Sequence, residues 1–127
     1  MTTILCIEDE ADFRLNIVEA LEDAGFAALE AVDGAEGLTA VRLHRPDLVL
    51  CDMAMPVMNG QQFLTNLRRE AEAEVSATPT VFLSALGDTE IVSSVTALGA
   101  DGYLVKPISV PELLAVVAEL LGLRRGS

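Results

Sequence analysis

Short apolar runs alternate along this chain with longer segments in which apolar residues recur every three or four positions. The run Leu48-Val49-Leu50-Cys51 contains no polar residue, which is typical of a strand covered on both faces, as in a parallel sheet. Two other runs are mostly apolar and rich in β-branched residues, and two more show a weaker pattern. Together they predict strands at Ile4–Ile7, Ala27–Ala31, Leu48–Cys51, Thr80–Leu83 and Gly102–Val105.

Each predicted strand is followed by a segment with helical periodicity. Gly25 and Gly99 follow the first and fourth of these segments and are expected as C-terminal caps. Alternation of five strands with five helices predicts an α/β fold, a (βα)5 doubly wound five-stranded parallel sheet. The apolar helix faces are predicted at Phe13, Ile17, Leu21 and Ala24; Leu38 and Val41; Phe63, Leu64 and Leu67; Ile91, Val95 and Leu98; and Leu113, Val116, Val117, Leu120 and Leu121.

Composition narrows the class of protein further. The 127 residues contain no repeat or linker that would divide them, and a hydrophobic fraction of 51% argues against disorder. A net charge of -12 argues against direct nucleic-acid binding and against anionic membrane surfaces, and no apolar stretch is long enough for membrane insertion. Cys6 and Cys51 lie in apolar strands without CxxC spacing, which predicts free thiols in a reducing cytoplasm.

Polar side chains follow four of the predicted strands, where doubly wound sheets bind their ligands. Glu8 and Asp9 follow the first strand, Asp52 the third, Ser84 the fourth, and Lys106, the only lysine, the fifth. A single acid at a strand end is more often a solvated loop residue or a helix cap. Carboxylates crowded together repel, however, and Mg²⁺ with its oxygen ligands would offset their charge.

These residue types suit phosphoryl transfer to a carboxylate. Asp52 would be the nucleophile, and a bound metal would bridge it to the incoming phosphoryl oxygens. Ser84 and Lys106 would bind other oxygens of the transferred group.

Four motifs at these strand ends resemble the receiver domains of response regulators in two-component signalling, over nearly the whole chain. The resemblance implies a flavodoxin-like sheet with strand order 2-1-3-4-5. Residues 1–122 would form the receiver domain, and 123–127 a C-terminal tail or the start of a removed linker. The motifs are Ile7-Glu8-Asp9-Glu10, Asp52-Met53-Ala54-Met55-Pro56-Val57-Met58-Asn59-Gly60, Ser84-Ala85 and Tyr103-Leu104-Val105-Lys106-Pro107.

The resemblance implies a role for each matching residue at the phosphorylation site. Asp52 would accept a phosphoryl group from the phosphohistidine of a histidine kinase or a histidine phosphotransfer protein. Glu8, Asp9, Asp52 and the backbone carbonyl of Ala54 would hold Mg²⁺. The chain would be no enzyme beyond catalysing its own phosphorylation and dephosphorylation.

Further residues would transmit or shield the phosphorylated state. Ser84 would be the switch hydroxyl and Tyr103 the switch aromatic, remodelling the face of the fourth helix, fifth strand and fifth helix for a downstream protein or a second receiver. Ala85 would leave room for the phosphoryl group, and Lys106-Pro107 would be a cis peptide. Ala54 and Leu86 cannot hydrogen-bond a hydrolytic water through their side chains, which predicts slow loss of the phosphoryl group.

Several alternatives stay open at this point. Ser84 could instead be a helix cap, and Tyr103 an aromatic that packs on the fourth helix. A dehalogenase-type phosphatase is disfavoured because Ala54 stands where a second Asp is needed. A flavodoxin-like electron carrier is disfavoured because the acids of the first loop would repel a flavin phosphate.

The receiver could stand alone or be excised from a larger response regulator or hybrid kinase. The segment 69–78 is slightly long for the third helix plus its loop and suggests a local insertion.

Overall fold

The computed structural model describes residues 1–85 and 89–126. Its five strands form one parallel sheet in the order β2-β1-β3-β4-β5, which confirms the predicted doubly wound topology. The strands are β1 (Thr3–Ile7), β2 (Ala27–Ala31), β3 (Leu48–Asp52), β4 (Thr80–Ser84) and β5 (Gly102–Val105). The helices are α1 (Ala11–Asp23), α2 (Gly34–His44), α3 (Gly60–Arg68), α4 (Ala73–Ser76), α5 (Thr89–Ala97) and α6 (Val110–Gly126).

The sheet separates two hydrophobic clusters. Successive side chains of β1 point to opposite faces, so that Ile4 and Cys6 join the cluster with α1 and α6. Leu5 and Ile7 join the cluster with α2, α3, α4 and α5. Both faces are therefore covered, which explains why the middle residues of the central strands are apolar.

The helix count differs from the prediction of five. The segment 69–78 contains the additional short helix α4, whose only buried side chain among those described is Val75. Arg45, which ends α2 with a φ of 47°, pairs with Glu72 and Glu74 beside this helix. The segment is thus attached to the rest of the fold by the buried Val75 side chain and by the ion pairs of Arg45.

The predicted helix ends are largely confirmed. Gly25 and Gly99 have φ values of 94° and 104°, a left-handed conformation that glycine adopts without steric cost. Ala24 lies just after α1 rather than on its apolar face. Asn59 and Gln62 form a capping box that fixes the start of α3 at Gly60.

Other predictions have mixed outcomes. Cys6 and Cys51 are buried free thiols, as expected. The last helix continues to Gly126, and the proposed domain boundary after residue 122 stays a prediction. Within residues 1–85 and 89–126, no helix is both long and apolar enough to cross a membrane.

Candidate functional site

The carboxyl edge of the sheet brings together the residues that the sequence placed at strand ends. Lys106 directly follows β5, and its backbone N–H donates to the carbonyl of Ser84, the last residue of β4, at 2.7 Å. Its ammonium donates to Glu8 Oε1 at 3.0 Å and to Asp52 Oδ1 at 3.3 Å. Because the strands are parallel, residues far apart in sequence meet at one edge.

Three carboxylates form a compact cluster beside this lysine. Oxygen atoms of Glu8, Asp9 and Asp52 all lie within 4.8 Å of one another. Glu8 is only 1% and Asp52 only 6% exposed, whereas Asp9 is exposed to solvent. Three carboxyl groups face one ammonium, and all of their ligand atoms are oxygen, so the cluster fits a hard divalent cation such as Mg²⁺.

The environment of Glu8 works against its ionisation. Burial raises the pKa of Glu8 to about 7, although hydrogen bonds from the Glu10 N–H and the Lys106 ammonium favour the carboxylate. For Lys106, burial lowers the pKa, but the bond to Glu8 and attraction to Asp52 outweigh it, so that the pKa is raised. The lysine is thus charged, while Glu8 is poised between its two protonation states near neutral pH.

A cavity of about 370 Å³ opens directly onto Asp52. Ser84, Ala54 and Ala85 line it, together with Lys106, so five of the predicted site residues share one space. Its remaining lining residues, which the sequence reasoning did not single out, are Met53, Asn59, Gln61 and Ile91. The cavity provides room for a small group transferred to the Asp52 carboxylate.

The other predicted positions lie around this cavity. Ser84 is the last residue of β4 and lines the cavity. Tyr103 pairs with Phe82 in the sheet, is partly buried, and packs against the cluster that contains Val95 of α5. The Lys106-Pro107 peptide is cis. Leu86 lies outside the described residues.

Two features of the site escaped the sequence reasoning. The sequence assigns Phe13 only to the apolar face of α1, yet the Lys106 ammonium lies 4.4 Å from the centroid of its ring. It shows Asn59 only as part of a motif, yet the Asn59 side chain accepts the Gln62 N–H and so holds the cavity wall at the start of α3. The position of Asn59 directly before a predicted helix could have indicated its role as a cap. No sequence signal indicates the contact between Phe13 and Lys106, which are 93 residues apart.

Fold and site together define a doubly wound α/β protein whose chemistry lies in an acidic cluster with a lysine at the carboxyl edge of the sheet. The chain belongs to the response regulator receiver domain family, whose family model matches residues 4–118. It is therefore a receiver domain of two-component systems.

Relatives of known name agree with this assignment. The transcriptional regulatory protein PrrA of Mycobacterium tuberculosis is 38% identical over 124 residues, which cover 98% of this chain and 51% of PrrA. The chain thus spans about half the length of the curated relatives it matches. The chemotaxis protein CheY4 of Vibrio cholerae has 31% identity and a TM-score of 0.88, covering 94% of this chain and 98% of that one.

A third similar structure was determined with a bound metal ion. The receiver domain of the sensor histidine kinase PA1611 from Pseudomonas aeruginosa is described with a magnesium ion coordinated in its active site cleft. It has a TM-score of 0.86 at 24% identity, covers 95% of this chain and 98% of that one, and supports the fold alone. Receiver domains bind Mg²⁺ in an acidic pocket, and this chain has an acidic cluster of Glu8, Asp9 and Asp52 at the carboxyl edge of its sheet.

Proposed function

We propose that Asp52 accepts a phosphoryl group from the phosphohistidine of a histidine kinase or a histidine phosphotransfer protein. One observation carries the proposal: the nearly buried Asp52 carboxylate faces a cavity of about 370 Å³ and lies 3.3 Å from the Lys106 ammonium. A carboxylate in that position has an electrophile site in front of it and positive charge beside it. The family membership supports this chemistry.

The transfer forms one bond and breaks another. A carboxylate oxygen of Asp52 attacks phosphorus, the phosphorus–nitrogen bond breaks, and its electron pair returns to the imidazole nitrogen, which then takes up a proton. Lys106 and Ser84 bind phosphoryl oxygens from the cavity wall. When bound by Glu8, Asp9, Asp52 and the Ala54 carbonyl, Mg²⁺ would supply further positive charge to those oxygens.

Phosphorylation would then be read out on a distant face. Ser84 moves toward the added oxygens, and Tyr103 turns into the space that it leaves. Since α4 is the additional helix, the predicted fourth and fifth helices correspond to α5 and α6, and the remodelled face is α5-β5-α6. Val105 of β5 and Val110 of α6 are exposed and would be available to a downstream protein or a second receiver.

The phosphorylated state is expected to be long-lived. Ala54 lines the cavity but offers no side-chain group to orient an attacking water, and Leu86 is proposed to shield the phosphoryl group. The reaction would take place in the cytoplasm, and the chain would catalyse only its own phosphorylation and dephosphorylation. A stand-alone receiver and a receiver within a longer regulator would both use this chemistry.

The test is phosphorylation by acetyl phosphate with Mg²⁺, followed by intact-protein mass spectrometry. We expect one phosphoryl adduct on the wild type and none on Asp52→Asn. Asp12→Asn is the matched control, because Asp12 is an exposed acid in the first turn of α1 and should leave the adduct unchanged. Equal labelling of wild type and Asp52→Asn would overturn the assignment of the acceptor.

A further inference from the structure

We infer that Phe13 is a positioning residue for Lys106: the face of its ring fixes the ammonium that acts on the phosphoryl group. The inference rests on the proposed function for its consequence, but its geometric part stands in the resting protein. The Lys106 Nζ lies 4.4 Å from the ring centroid, inside the range of about 6 Å in which a cation is attracted to an aromatic face.

A lysine ammonium needs a contact that fixes its position more than an arginine guanidinium would. Its charge sits at the end of a flexible stem with four carbons, and its three N–H donors rotate freely. In this site two acceptors, on Glu8 and Asp52, define where the ammonium lies. An incoming phosphoryl group must compete with Glu8 and Asp52 for the N–H donors of the ammonium. During this exchange the contact with the Phe13 ring stays the same.

The Phe13 ring is itself positioned by its packing in the hydrophobic core. Phe13 lies in the first turns of α1, is partly buried, and packs against the cluster that includes Ile17 and Leu113. The Lys106 side chain is 25% exposed, so water screens its contact with the ring only in part. Among the described residues, those that line the cavity at Asp52 do not include Phe13, and its effect on the phosphoryl group would therefore act through the lysine.

The composition of the chain makes this contact directly observable. Lys106 is the only lysine, so protein made with isotope-labelled lysine gives one set of side-chain signals in an NMR spectrum. A ring facing the ammonium shifts the lysine Hε signals upfield, and the two groups show a nuclear Overhauser effect. Absence of both effects in the wild type would overturn the inference without any variant.

Variants then separate positioning from packing. Phe13→Leu is expected to move the Lys106 signals downfield and to lower the maximal rate of phosphorylation by acetyl phosphate about 3- to 10-fold, with little change in the half-saturating concentration. Phe13→Tyr keeps an aromatic face and should restore both. Ile17→Val is the packing control, since it loosens the same helix but should leave the lysine signals in place.

Two negative results have different meanings. If the wild type shows the ring-shifted lysine but no phosphorylation, the proposed function fails and so does the role of Phe13 in it. If the wild type is phosphorylated and Phe13→Leu matches it in lysine signals and in rate, the function stands and the positioning role is wrong. A loss of rate in Phe13→Tyr equal to that in Phe13→Leu would also refute the positioning role.

Discussion

Replacing Glu8 by Gln should stabilise the metal-free domain at alkaline pH, although it removes an ion pair with Lys106. Glu8 is buried, and its pKa of about 7 lies well above its ordinary value of 4.5. Below pH 4.5 the carboxyl is neutral in both folded and unfolded chains, and its titration has no effect on stability. Above pH 7 it is ionised in both, and the folded state bears the cost of the buried charge.

The sign and size of this effect follow from proton linkage. Between pH 4.5 and 7 the folded state binds more protons than the unfolded state, so the free energy of unfolding falls as the pH rises. Each pH unit between the two pKa values corresponds to about 1.36 kcal/mol, so the loss across the window is about 3 kcal/mol. A neutral glutamine side chain of the same shape would not titrate and should escape this loss.

The assay is urea denaturation with EDTA, followed by circular dichroism at several pH values from 4 to 8. The difference in unfolding free energy between Glu8→Gln and wild type cancels the titration of the other acids. We expect it to shift in favour of the variant by about 3 kcal/mol from acid to alkaline pH. Glu22→Gln, which removes the same charge from an exposed position on α1, should show no such trend.

Two outcomes would refute this reasoning. A difference that does not change with pH would mean that the buried carboxyl does not titrate in this window. A variant that is increasingly less stable than wild type as the pH rises would mean that the pair with Lys106 outweighs the cost of burial. Mg²⁺ should stabilise the wild type at pH 8 and stabilise Glu8→Gln less, because binding to the folded state alone raises its stability.

Two further predictions concern the framework. Arg68→Met should lower the free energy of unfolding in urea by about 2–3 kcal/mol, because Arg68 donates hydrogen bonds to three carbonyls and to Asp101. The control Arg69→Met, at an exposed position, should change it by less than about 0.5 kcal/mol. Equal effects of the two variants would contradict this prediction. Gly60→Ala should lower the free energy of unfolding by about 1–3 kcal/mol, since the added Cβ would lie 2.8 Å from the Asp52 carbonyl oxygen. In the control Gly122→Ala the added Cβ has no neighbouring atom within 4 Å, so this variant should not be destabilised. Equal melting temperatures of the two variants would refute the prediction.

The sheet could be predicted from the sequence because buried parallel strands appear as short runs of apolar residues. The predicted strand Leu48–Cys51 is one residue shorter than β3, which includes Asp52. The sequence places Asp52 outside because a charged residue interrupts the apolar run, yet its backbone still pairs with β4. Parallel pairing then forces the strand ends to one edge, which is why the site could be assembled from residues so far apart.

Other features depend on long-range contacts that leave no periodic pattern. Helix α4 has a single buried apolar residue, Val75, and is held by Arg45 and Arg68 from other parts of the chain. Nothing in the segment itself distinguishes a short helix from a loop, since most of its stabilising partners lie elsewhere. The contact between Phe13 and Lys106 is of the same kind, because each residue has a sufficient local explanation without the other.

The charge balance of the site explains why its stability and its chemistry are linked. Three clustered carboxylates face one ammonium, and the most buried of them, Glu8, has its pKa raised to about 7. A cation or proton that enters the cluster would offset part of this excess of carboxylates, and its binding would therefore stabilise the resting fold. A second lysine at this edge would still leave the three carboxylates in excess over positive charge, but it would weaken their attraction for a divalent ion.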